Sequence, residues 1–428
     1  MAFAPQPQPA NELGRYRLLS PSAGVRVSPI CLGTMSLGQA WAGGMAEGVT
    51  QEKAFEFLDK FFDNGGNFVD TSNNYQNGES ETYLGAWMAA RKNRDQIVVA
   101  TKYSMGYQSH RQDIKLKVSS HRAIYSDQLS VLWLNVTGAA QVNYQGNHRK
   151  SLVLSVEDSL AKLQTTYIDI LYVHWWDYST SIPEVMQALD ALVKANKVLY
   201  LGISDTPAWI VVKANEYARA HGMAQFVVYQ GLWCIGTRDL EREIVPMCRA
   251  EGMGIVPWGV LGQVRTRSLA KAPRSCMTRL GPYLCWQGKY KSEAEMKART
   301  APVRYGMPQT EDEKRVSAAL EKVAGEVGGG ASLASVAVAW ALAKAPYVFP
   351  VVGGSNPKYL DDVIKGLAIA LTPEQIQTLE ASAPFAPGFP YSSFGFDPAQ
   401  GDGKPHYMVS SAGWVKYVKA PAPIAPGP

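Results

Sequence analysis

Three short apolar runs in this chain each lead to ionisable residues, and this repeated pattern limits the folds that the chain can adopt. The first run leads to Asp70 and Tyr75, the second ends at Lys102, and the third ends at His174. In a closed barrel of parallel strands, the carboxyl ends of all the strands meet at one face. The pattern therefore predicts an acid, a phenol, an amine and an imidazole around one barrel mouth.

The rest of the chain alternates between strand-like and helix-like segments. Helix starts carry capping residues: Ser181 and Glu184, for example, enclose a proline in the first turn of a predicted helix. Eight strand–helix pairs with apolar strands favour an α/β fold, a (β/α)8 TIM barrel, preceded by a β-hairpin over residues 16–27. The predicted barrel strands are 30–34, 67–70, 97–101, 168–173, 198–204, 226–230, 255–258 and 348–352.

The chain is predicted to hold one folded domain between two irregular ends. The barrel is expected over residues 15–383, and residues 1–14 are expected to be disordered. The tail from 384 to 428 is rich in proline, glycine and aromatic residues. We expect part of this tail to fold over the barrel mouth as a substrate lid, and its end, 420–428, to be disordered.

Composition argues against several classes of protein. The net charge is +5 over 428 residues, and no basic stretch is long enough to predict a nucleic-acid partner. The five cysteines are odd in number and lack CxxC spacing, which argues against a disulfide framework and against a zinc site. The start of the chain does not resemble a signal peptide, and the apolar stretch 331–345 is too short to span a membrane. We expect a cytoplasmic protein with no metal and no membrane partner, and the oligomeric state stays open.

The four ionisable residues suit the reduction of a carbonyl group. Hydride addition to a carbonyl builds negative charge on its oxygen, so the site needs a proton donor within hydrogen-bond reach. The Tyr75 phenol is a poor acid at neutral pH, and we expect the Lys102 ammonium to lower its pKa. Asp70 would keep the lysine charged and oriented, and His174 could donate to the same oxygen.

Each of these residues also has a purely structural interpretation. Asp70 and Lys102 could be an ion pair in the barrel rim, and His174 could be packed in an aromatic cluster. A glycine pair such as Gly353 and its neighbour also occurs in ordinary strand-to-helix turns, and Trp258 could simply fill the core. The three matching strand ends favour the catalytic interpretation for the four ionisable residues.

Several motifs, in order along the chain, make the sequence resemble an aldo-keto reductase of the fungal branch that contains aryl-alcohol dehydrogenases and norsolorinic acid reductase. The resemblance covers about residues 15–395, and its motifs fall at successive predicted strand ends. The motifs are Gly33-Thr34-Met35, the run from Phe68 to Glu81, Asp169-Ile-Leu-Tyr-Val-His174, Leu201-Gly-Ile-Ser-Asp205, Gln230 and Val352-Gly-Gly-Ser-Asn356.

The resemblance implies an NADPH-dependent carbonyl reductase that acts on a small-molecule carbonyl substrate. It implies a catalytic tetrad of Asp70, Tyr75, Lys102 and His174. The implied cofactor-binding residues are Thr34 and Met35; Ser204, Asp205 and Gln230 at the nicotinamide carboxamide; Trp258 against the ring; and Gly353, Gly354, Ser355, Lys358, Tyr359 and Asp362 at the adenosine phosphate end. Trp41 and Trp175 are expected to line the substrate site.

Two departures from the family pattern affect the cofactor site. Asp205 stands where asparagine is usual, and Val363 stands where an asparagine often meets adenine. Neither departure touches the predicted tetrad.

Two segments, 118–141 and 264–287, interrupt stretches that otherwise resemble continuous family loops. Both are 24 residues long, begin with valine and end with glutamine. Valine codons start with GT and one glutamine codon is CAG, so DNA that starts with GT and ends with AG could encode both segments. We interpret them as retained introns translated in frame. The alternative is that they are loop insertions after the third and seventh strands, where barrel enzymes elaborate their sites.

The favoured function is reduction of an aromatic aldehyde or polyketide-type ketone with NADPH, in fungal secondary metabolism. One alternative is an aryl-alcohol dehydrogenase that acts on simple benzylic alcohols and aldehydes. A second is a non-catalytic, nucleotide-binding regulatory subunit, since some relatives of this fold bind cofactor while serving a channel. A third is an inactive product of mis-splicing.

Overall fold

The computed structural model describes residues 7–42, 48–108, 110, 117–123, 133–139, 142–262, 310–354, 356–400 and 405–427. For 117–123 and 133–139 it describes the backbone alone. The strands within these ranges are β1 (Arg17–Ser20), β2 (Ala23–Val27), β3 (Cys31–Gly33), β4 (Phe68–Asp70), β5 (Val98–Tyr103), β6 (Lys117–Ala123), β7 (Trp133–Ala139), β8 (Ile168–Val173), β9 (Val198–Ser204), β10 (Phe226–Leu232), β11 (Gly254–Trp258) and β12 (Val351–Val352).

Eight of these strands form one parallel sheet in the order β11-β10-β9-β8-β5-β4-β3-β12. The sheet closes where Ile255 of β11 bridges Val348 and the Phe349 amide donates to the Ile255 carbonyl at 2.9 Å. The predicted (β/α)8 barrel is confirmed, and each predicted strand lies within three residues of an observed one. Closure brings the carboxyl ends of all eight strands to one mouth.

Helices follow the barrel strands and cover the outside of the sheet. Their starts obey the capping chemistry that the sequence predicts: the Ser181 hydroxyl accepts from the Glu184 amide, and Thr310 and Glu313 form a reciprocal capping box. The α-helices of the described ranges are α1 (Gln51–Asp63), α2 (Glu79–Arg91), α3 (Arg149–Leu163), α4 (Ile182–Lys194), α5 (Ala208–Ala220), α6 (Ile244–Ala250), α7 (Glu311–Val327), α8 (Leu333–Lys344), α9 (Lys358–Gly366), α10 (Pro373–Ala381), α11 (Tyr391–Phe394) and α12 (Tyr407–Ser410).

The apolar side chains form two clusters, one inside the barrel and one between the strands and the outer helices. The inner cluster includes Phe68, Ile170 and Phe349, and the hairpin residues Leu19 and Val27 belong to it. Strands β1 and β2, which pair antiparallel, therefore cover the amino-terminal end of the barrel. The opposite end, at the carboxyl ends of the strands, stays available for a site. None of the helices described is long and apolar enough to cross a bilayer.

The ordered part of the chain begins before residue 15, where the sequence predicted it to begin. Residues Glu12–Gly14 form a helical turn, and the Leu13 side chain is 0% exposed. The Asn11 side chain accepts a hydrogen bond from the Leu13 amide and caps this turn. A single buried leucine with a cap is enough to fix the segment, although its sequence shows no periodic pattern.

The contacts of the C-terminal tail lie on the outer helices and the N-terminal segment. Arg242 donates to the Pro387 carbonyl at 2.7 Å, and Arg249 donates to Gln400 at 2.6 Å. The Gly427 amide donates to Glu12 at 3.2 Å, so the described end of the tail has contacts where disorder was expected. The substrate lid stays a prediction.

Strands β6 and β7 fall in the first of the two unusual segments and pair antiparallel, with Lys117 opposite Ala139. The chain on either side of this pair comes together: the Gly146 amide donates to the Ser104 carbonyl at 2.8 Å. The Asn147 side chain also donates to the Ser104 hydroxyl at 2.8 Å. The second segment, 264–287, lies outside the described residues.

Candidate active site

The four predicted catalytic residues meet at the barrel mouth. Asp70 ends β4, Lys102 lies near the end of β5, His174 follows β8, and Tyr75 lies on the loop after β4. Lys102 Nζ lies 2.7 and 2.6 Å from the two carboxylate oxygens of Asp70 and donates to the Thr71 carbonyl at 2.8 Å. It also lies 3.3 Å from the Tyr75 hydroxyl, and all four catalytic candidates are buried. The arrangement is a phenol held against a charged, paired ammonium.

The backbone that follows Tyr75 is strained. Gln76, Asn77 and Gly78 have φ values of +52°, +55° and +95°, so two side chains other than glycine lie in the left-handed region. The Gln76 side chain holds this turn, because its amide donates to the Met35 carbonyl at 3.0 Å and accepts from the Trp41 amide at 2.9 Å. Strain of this kind persists at functional sites when surrounding contacts enforce it.

The prediction that Lys102 lowers the pKa of the Tyr75 phenol is wrong: the pKa is raised. The pKa of Tyr75 is raised well above its usual value by burial, and the charges of Asp70 and Asp205 raise it further. Lys102 is nearer to the two Asp70 oxygens than to the Tyr75 hydroxyl, so much of its charge is neutralised by Asp70. Tyr75 is therefore a protonated phenol across the neutral range.

His174 is held in its neutral form. Burial lowers its pKa well below 6.5, and the charge of Lys102 lowers it further. Its Nδ1 lies 3.2 Å from the Ser72 hydroxyl, and its ring meets the Tyr75 ring edge-to-face at 6.0 Å. The partner of Nδ1 decides which ring nitrogen carries the proton.

The predicted nicotinamide side of the site is built from the ends of β9, β10 and β11. Gln230 donates to Asp70 at 2.9 Å, so this side chain also orients the acid of the tetrad. Ser204 is buried, and within the described part of the chain its hydroxyl makes no hydrogen bond of good geometry. A buried hydroxyl of this kind suits a polar ligand group such as a carboxamide.

Asp205, the departure from asparagine, has φ = +44°, a left-handed conformation that short polar side chains tolerate. Its carboxylate accepts from the Trp258 indole nitrogen at 3.2 Å. The side chain faces the cleft, but the surrounding protein reduces its hydration and raises the pKa of Asp205 to about 7. The Trp258 hydrogen bond and the Lys102 charge offset part of this increase.

The residues predicted to bind the adenosine phosphate end of the cofactor lie after β12. Gly353 is packed against β3, because a Cβ at this position would lie 2.5 Å from the Gly33 carbonyl oxygen. Lys358 and Tyr359 open α9 and are exposed, and Asp362 is half-buried one turn later. A helix N-terminus beside a cation is a favourable place for a phosphate.

The sequence analysis singles out three further positions at this end. Gly354 lies beside Tyr359, since a Cβ there would be 3.4 Å from that ring, and Ser355 lies outside the described residues. Val363 packs in the outer apolar cluster and is 2% exposed. The side chain that replaces the family asparagine therefore belongs to the core.

Thr34 and Met35 are buried beside the tetrad. The Thr34 hydroxyl lies 3.0 Å from the Asp70 carbonyl and 2.7 Å from the Ser80 hydroxyl. These protein contacts occupy the Thr34 side chain, and the predicted cofactor role of both residues stays a prediction.

Two tryptophan side chains lie near Tyr75 or next to its neighbour His174. Trp41 meets the Tyr75 ring edge-to-face at 6.4 Å, and its indole nitrogen donates to Asn77 at 3.2 Å. Trp175 is half-buried next to His174, and its indole nitrogen is buried with no hydrogen-bond partner in the described ranges. The site thus offers flat apolar surfaces next to the proton donor.

Sequence reasoning missed the polar residues that hold the tetrad in place. Ser72 contacts His174, and Gln76 fixes the turn after Tyr75. The one sequence signal for these residues is the run of polar residues after Asp70. Residues 71–73 of this run are all buried. Periodicity is not informative there, because the loop has none.

Comparison with known proteins gives one consistent result. Residues 29–384 match the pattern of the Aldo/keto reductase family. A norsolorinic acid reductase B of Aspergillus parasiticus is 44% identical over 427 residues, which cover 97% of this chain and 98% of the relative. The norsolorinic acid reductase B of Dothistroma septosporum is 43% identical over 419 residues, 96% of this chain and 94% of the relative. An aryl-alcohol dehydrogenase [NADP(+)] of Phanerodontia chrysosporium is 44% identical over 410 residues, 96% of this chain and 95% of the relative.

Proposed function

The chain belongs to the aldo/keto reductase family and is an oxidoreductase, and we propose that it reduces an aromatic aldehyde or polyketide-type ketone to the alcohol with NADPH. The observation that carries this proposal is the 3.3 Å contact between Lys102 Nζ and the Tyr75 hydroxyl, with Asp70 paired to the same ammonium. During the reaction the carbonyl oxygen gains negative charge. A proton donor next to a fixed positive charge stabilises that oxygen.

Tyr75 is proposed as the proton donor. Its phenol is protonated in the neutral range, and an alkoxide is a stronger base than a phenolate, so transfer from Tyr75 to the reacting oxygen is downhill. Lys102 donates to the phenol oxygen and stabilises the phenolate that forms. Asp70 keeps the ammonium oriented, and Gln230 orients Asp70.

His174 is proposed as a second hydrogen-bond donor to the same oxygen. Its neutral ring carries one proton, and this role requires that proton on Nε2, the tautomer in which Nδ1 accepts from the Ser72 hydroxyl 3.2 Å away. An Nε2–H group next to Tyr75 can polarise the carbonyl without giving up its proton.

The residues of the cleft fit a nicotinamide dinucleotide. The buried Ser204 hydroxyl, Asp205 and Gln230 would hold the carboxamide, and Trp258 would lie against the ring. Lys358 at the start of α9 would hold the 2′-phosphate, which NADPH has and NADH lacks. When bound, the cofactor supplies the hydride.

The aromatic surroundings of Tyr75 support an aromatic substrate. Trp41, Tyr75 and His174 form successive edge-to-face contacts of 6.4 and 6.0 Å, and Trp175 lies next in the chain. Aromatic rings prefer such neighbours by about 0.5–1.5 kcal/mol per pair beyond simple burial. A substrate with a flat aromatic ring next to its carbonyl would extend this array of rings. Fungal secondary metabolites built from aromatic polyketides have such rings.

One relative is named for the oxidation of aryl alcohols, so the reaction with simple benzylic alcohols and aldehydes is the second candidate. The two candidates use the same tetrad and differ in substrate size and in direction. We also propose a cytoplasmic location, because Cys31, Cys234 and Cys248 are buried free thiols in the described part of the chain.

The test is consumption of NADPH by the purified chain with aromatic aldehydes and ketones, and with aliphatic aldehydes of similar size. We expect turnover with the aromatic compounds and a preference for NADPH over NADH of about tenfold or more in kcat/KM, or about 1.4 kcal/mol. Lys358→Ala should narrow this preference, whereas Lys365→Ala, an exposed lysine in the last turn of the same helix, should not.

Equal kcat/KM for NADPH and NADH in the unmutated protein would contradict the phosphate assignment. Tight NADPH binding without turnover of any carbonyl or benzylic alcohol would contradict the catalytic proposal and favour a nucleotide-binding regulatory subunit.

A further inference from the structure

A charged cluster lies behind the tetrad, outside the site described so far. Lys162, near the end of α3, has its Nζ 2.8 Å from Glu81 Oε2 and 2.7 Å from Asp158 Oδ2. The side chain of Glu81 is 0% exposed and that of Lys162 is 17% exposed. Burial alone would lower the pKa of Lys162, but the charges of Glu81 and Asp158 outweigh it and raise that pKa. Lys162 is therefore a cation at neutral pH.

This cluster contacts both segments that carry the proton donor and its lysine. Lys162 Nζ donates to the Asn73 carbonyl at 3.1 Å, two residues before Tyr75. Glu81 accepts from the Thr101 hydroxyl at 2.6 Å, one residue before Lys102. The Asn73 amide also donates to the Lys102 carbonyl at 3.2 Å. The cluster thus connects the Tyr75 loop to β5.

The packing of α2 and α3 is built to place this lysine. A Cβ at Gly85 would lie 2.2 Å from the Lys162 carbonyl oxygen, so glycine is needed where the two helices approach. A Cβ at Gly78, the last residue of the strained turn, would lie 3.2 Å from Lys162 Nζ. Gly85 therefore lets α3 approach α2 closely, and Gly78 leaves the space that the end of the Lys162 side chain occupies beside the loop.

The Lys162–Glu81 pair is buried, and the attraction between two buried charges offsets only part of their lost hydration. The turn after Tyr75 holds two left-handed residues other than glycine, a strained conformation that persists only where surrounding contacts enforce it. Both features lie at the Tyr75 loop, and the hydrogen bond from Lys162 to Asn73 is one of the contacts that reach this loop.

We propose that Lys162, paired with Glu81, is a positioning residue for proton transfer: it holds the Tyr75 loop against β5 so that the phenol stays within reach of the Lys102 ammonium. The proposal rests on the proposed function. It concerns the chemical step and not cofactor affinity, because the contacts of Lys162 are with Glu81, Asp158, Asn73 and the Tyr107 ring.

The experiment compares Lys162→Met, which keeps the length of the side chain and removes the charge, with Lys194→Met. Lys194 is a matched control because it pairs with the buried carboxylate of Asp190 one turn away on α4, and its own side chain is 68% exposed. We expect Lys162→Met to lower kcat by about 10- to 100-fold, because a displacement of about 1 Å at the reacting groups can cost that much. The Kd for NADPH should change less than about twofold, a change too small to matter beside the fall in kcat.

A second measurement does not depend on activity. Amide hydrogen exchange in the peptide that covers 71–78 should be faster in Lys162→Met and unchanged in Lys194→Met. If the unmutated protein reduces no carbonyl, the proposed function fails, and this exchange measurement still tests the positioning role.

Three results would overturn the proposal: a folded Lys162→Met protein with kcat close to that of the unmutated chain, an equal loss in kcat and in NADPH affinity, or unchanged exchange at 71–78. If Lys162→Met does not fold, the same measurements of kcat, NADPH affinity and exchange at 71–78 are made on Thr101→Val. This substitution removes the hydroxyl that donates to Glu81 and so disconnects the cluster from β5.

Discussion

Lys102 shows how the properties of a single residue in this site depend on its neighbours. Its identity as part of a tetrad could be predicted from sequence, because it ends an apolar strand in family order. Its effect on Tyr75 could not, because the pKa of the phenol depends on burial and on the nearby charges of Asp70 and Asp205. Lys102 and Asp205 are far from Tyr75 in sequence, and the fold decides how close their charges lie to the phenol.

Asp205 gives a test of electrostatics at the residue scale. In the unfolded chain a carboxyl has a pKa of about 3.9, whereas in the fold the pKa of Asp205 is about 7. A raised pKa means that the folded state holds the proton more tightly than the unfolded state. Below about pH 4 the carboxyl is protonated in both states, and Asp205 does not lower the free energy of unfolding. As the pH rises from about 4 to about 7, Asp205 lowers the free energy of unfolding increasingly, and above about pH 7 the effect is complete.

Asp205→Asn removes this effect and should raise the melting temperature more at pH 8 than at pH 5. Thermal unfolding at the two pH values measures the effect, with Asp63→Asn, an exposed carboxyl on α1, as the control. The account of Asp205 is wrong if the substitution stabilises the protein equally at both pH values, or if it stabilises the protein more at pH 5.

At the scale of elements, the strands were easier to predict than the ends of helices and the loops. Helix α6, for example, begins at Ile244, which places Pro246 in the first turn, where a missing amide hydrogen is tolerated. The loop after β4 could not be predicted at all, because its left-handed Gln76 is held by contacts with Met35 and Trp41, which lie far from it in sequence. Local patterns predict elements, and tertiary contacts decide how they end.

The two 24-residue segments lead to a prediction about elements that can be removed. Ser104 and Gly146 are already hydrogen bonded, and Lys117 lies opposite Ala139, so removal of 118–141 joins chain ends that are close. Loop length changes closure entropy only slowly. We predict that a chain of 380 residues (428 minus 48), lacking 118–141 and 264–287, is more soluble and at least as active as the full chain.

The soluble fraction on expression and the kcat/KM of both chains measure this prediction. Loss of activity in the shortened chain, together with both segments in every mature transcript, would refute the interpretation as retained introns and favour genuine loop insertions.

At the scale of the whole molecule, barrel closure is what makes a site from residues far apart in sequence. Asp70 and Gln230 are 160 residues apart and are hydrogen bonded at 2.9 Å. The sequence was sufficient for the fold and for the four residues at the mouth, since both depend on strand order alone. The path of the tail was not predictable, because its contacts are scattered polar contacts with residues far away in sequence, such as those from Arg242 to the Ala386 and Pro387 carbonyls.

The central claim is that Tyr75 donates the proton in NADPH-dependent carbonyl reduction, and Tyr75→Phe tests it most directly. The substitution removes one hydroxyl and keeps the ring that Trp41 and His174 contact. NADPH binding by stopped flow and steady-state turnover are measured on the same preparation. We predict that turnover falls by about 10²- to 10⁴-fold while NADPH binding is nearly unchanged, because general acid catalysis by one group contributes that much. A variant that retains a large part of the turnover of the unmutated protein would contradict the account.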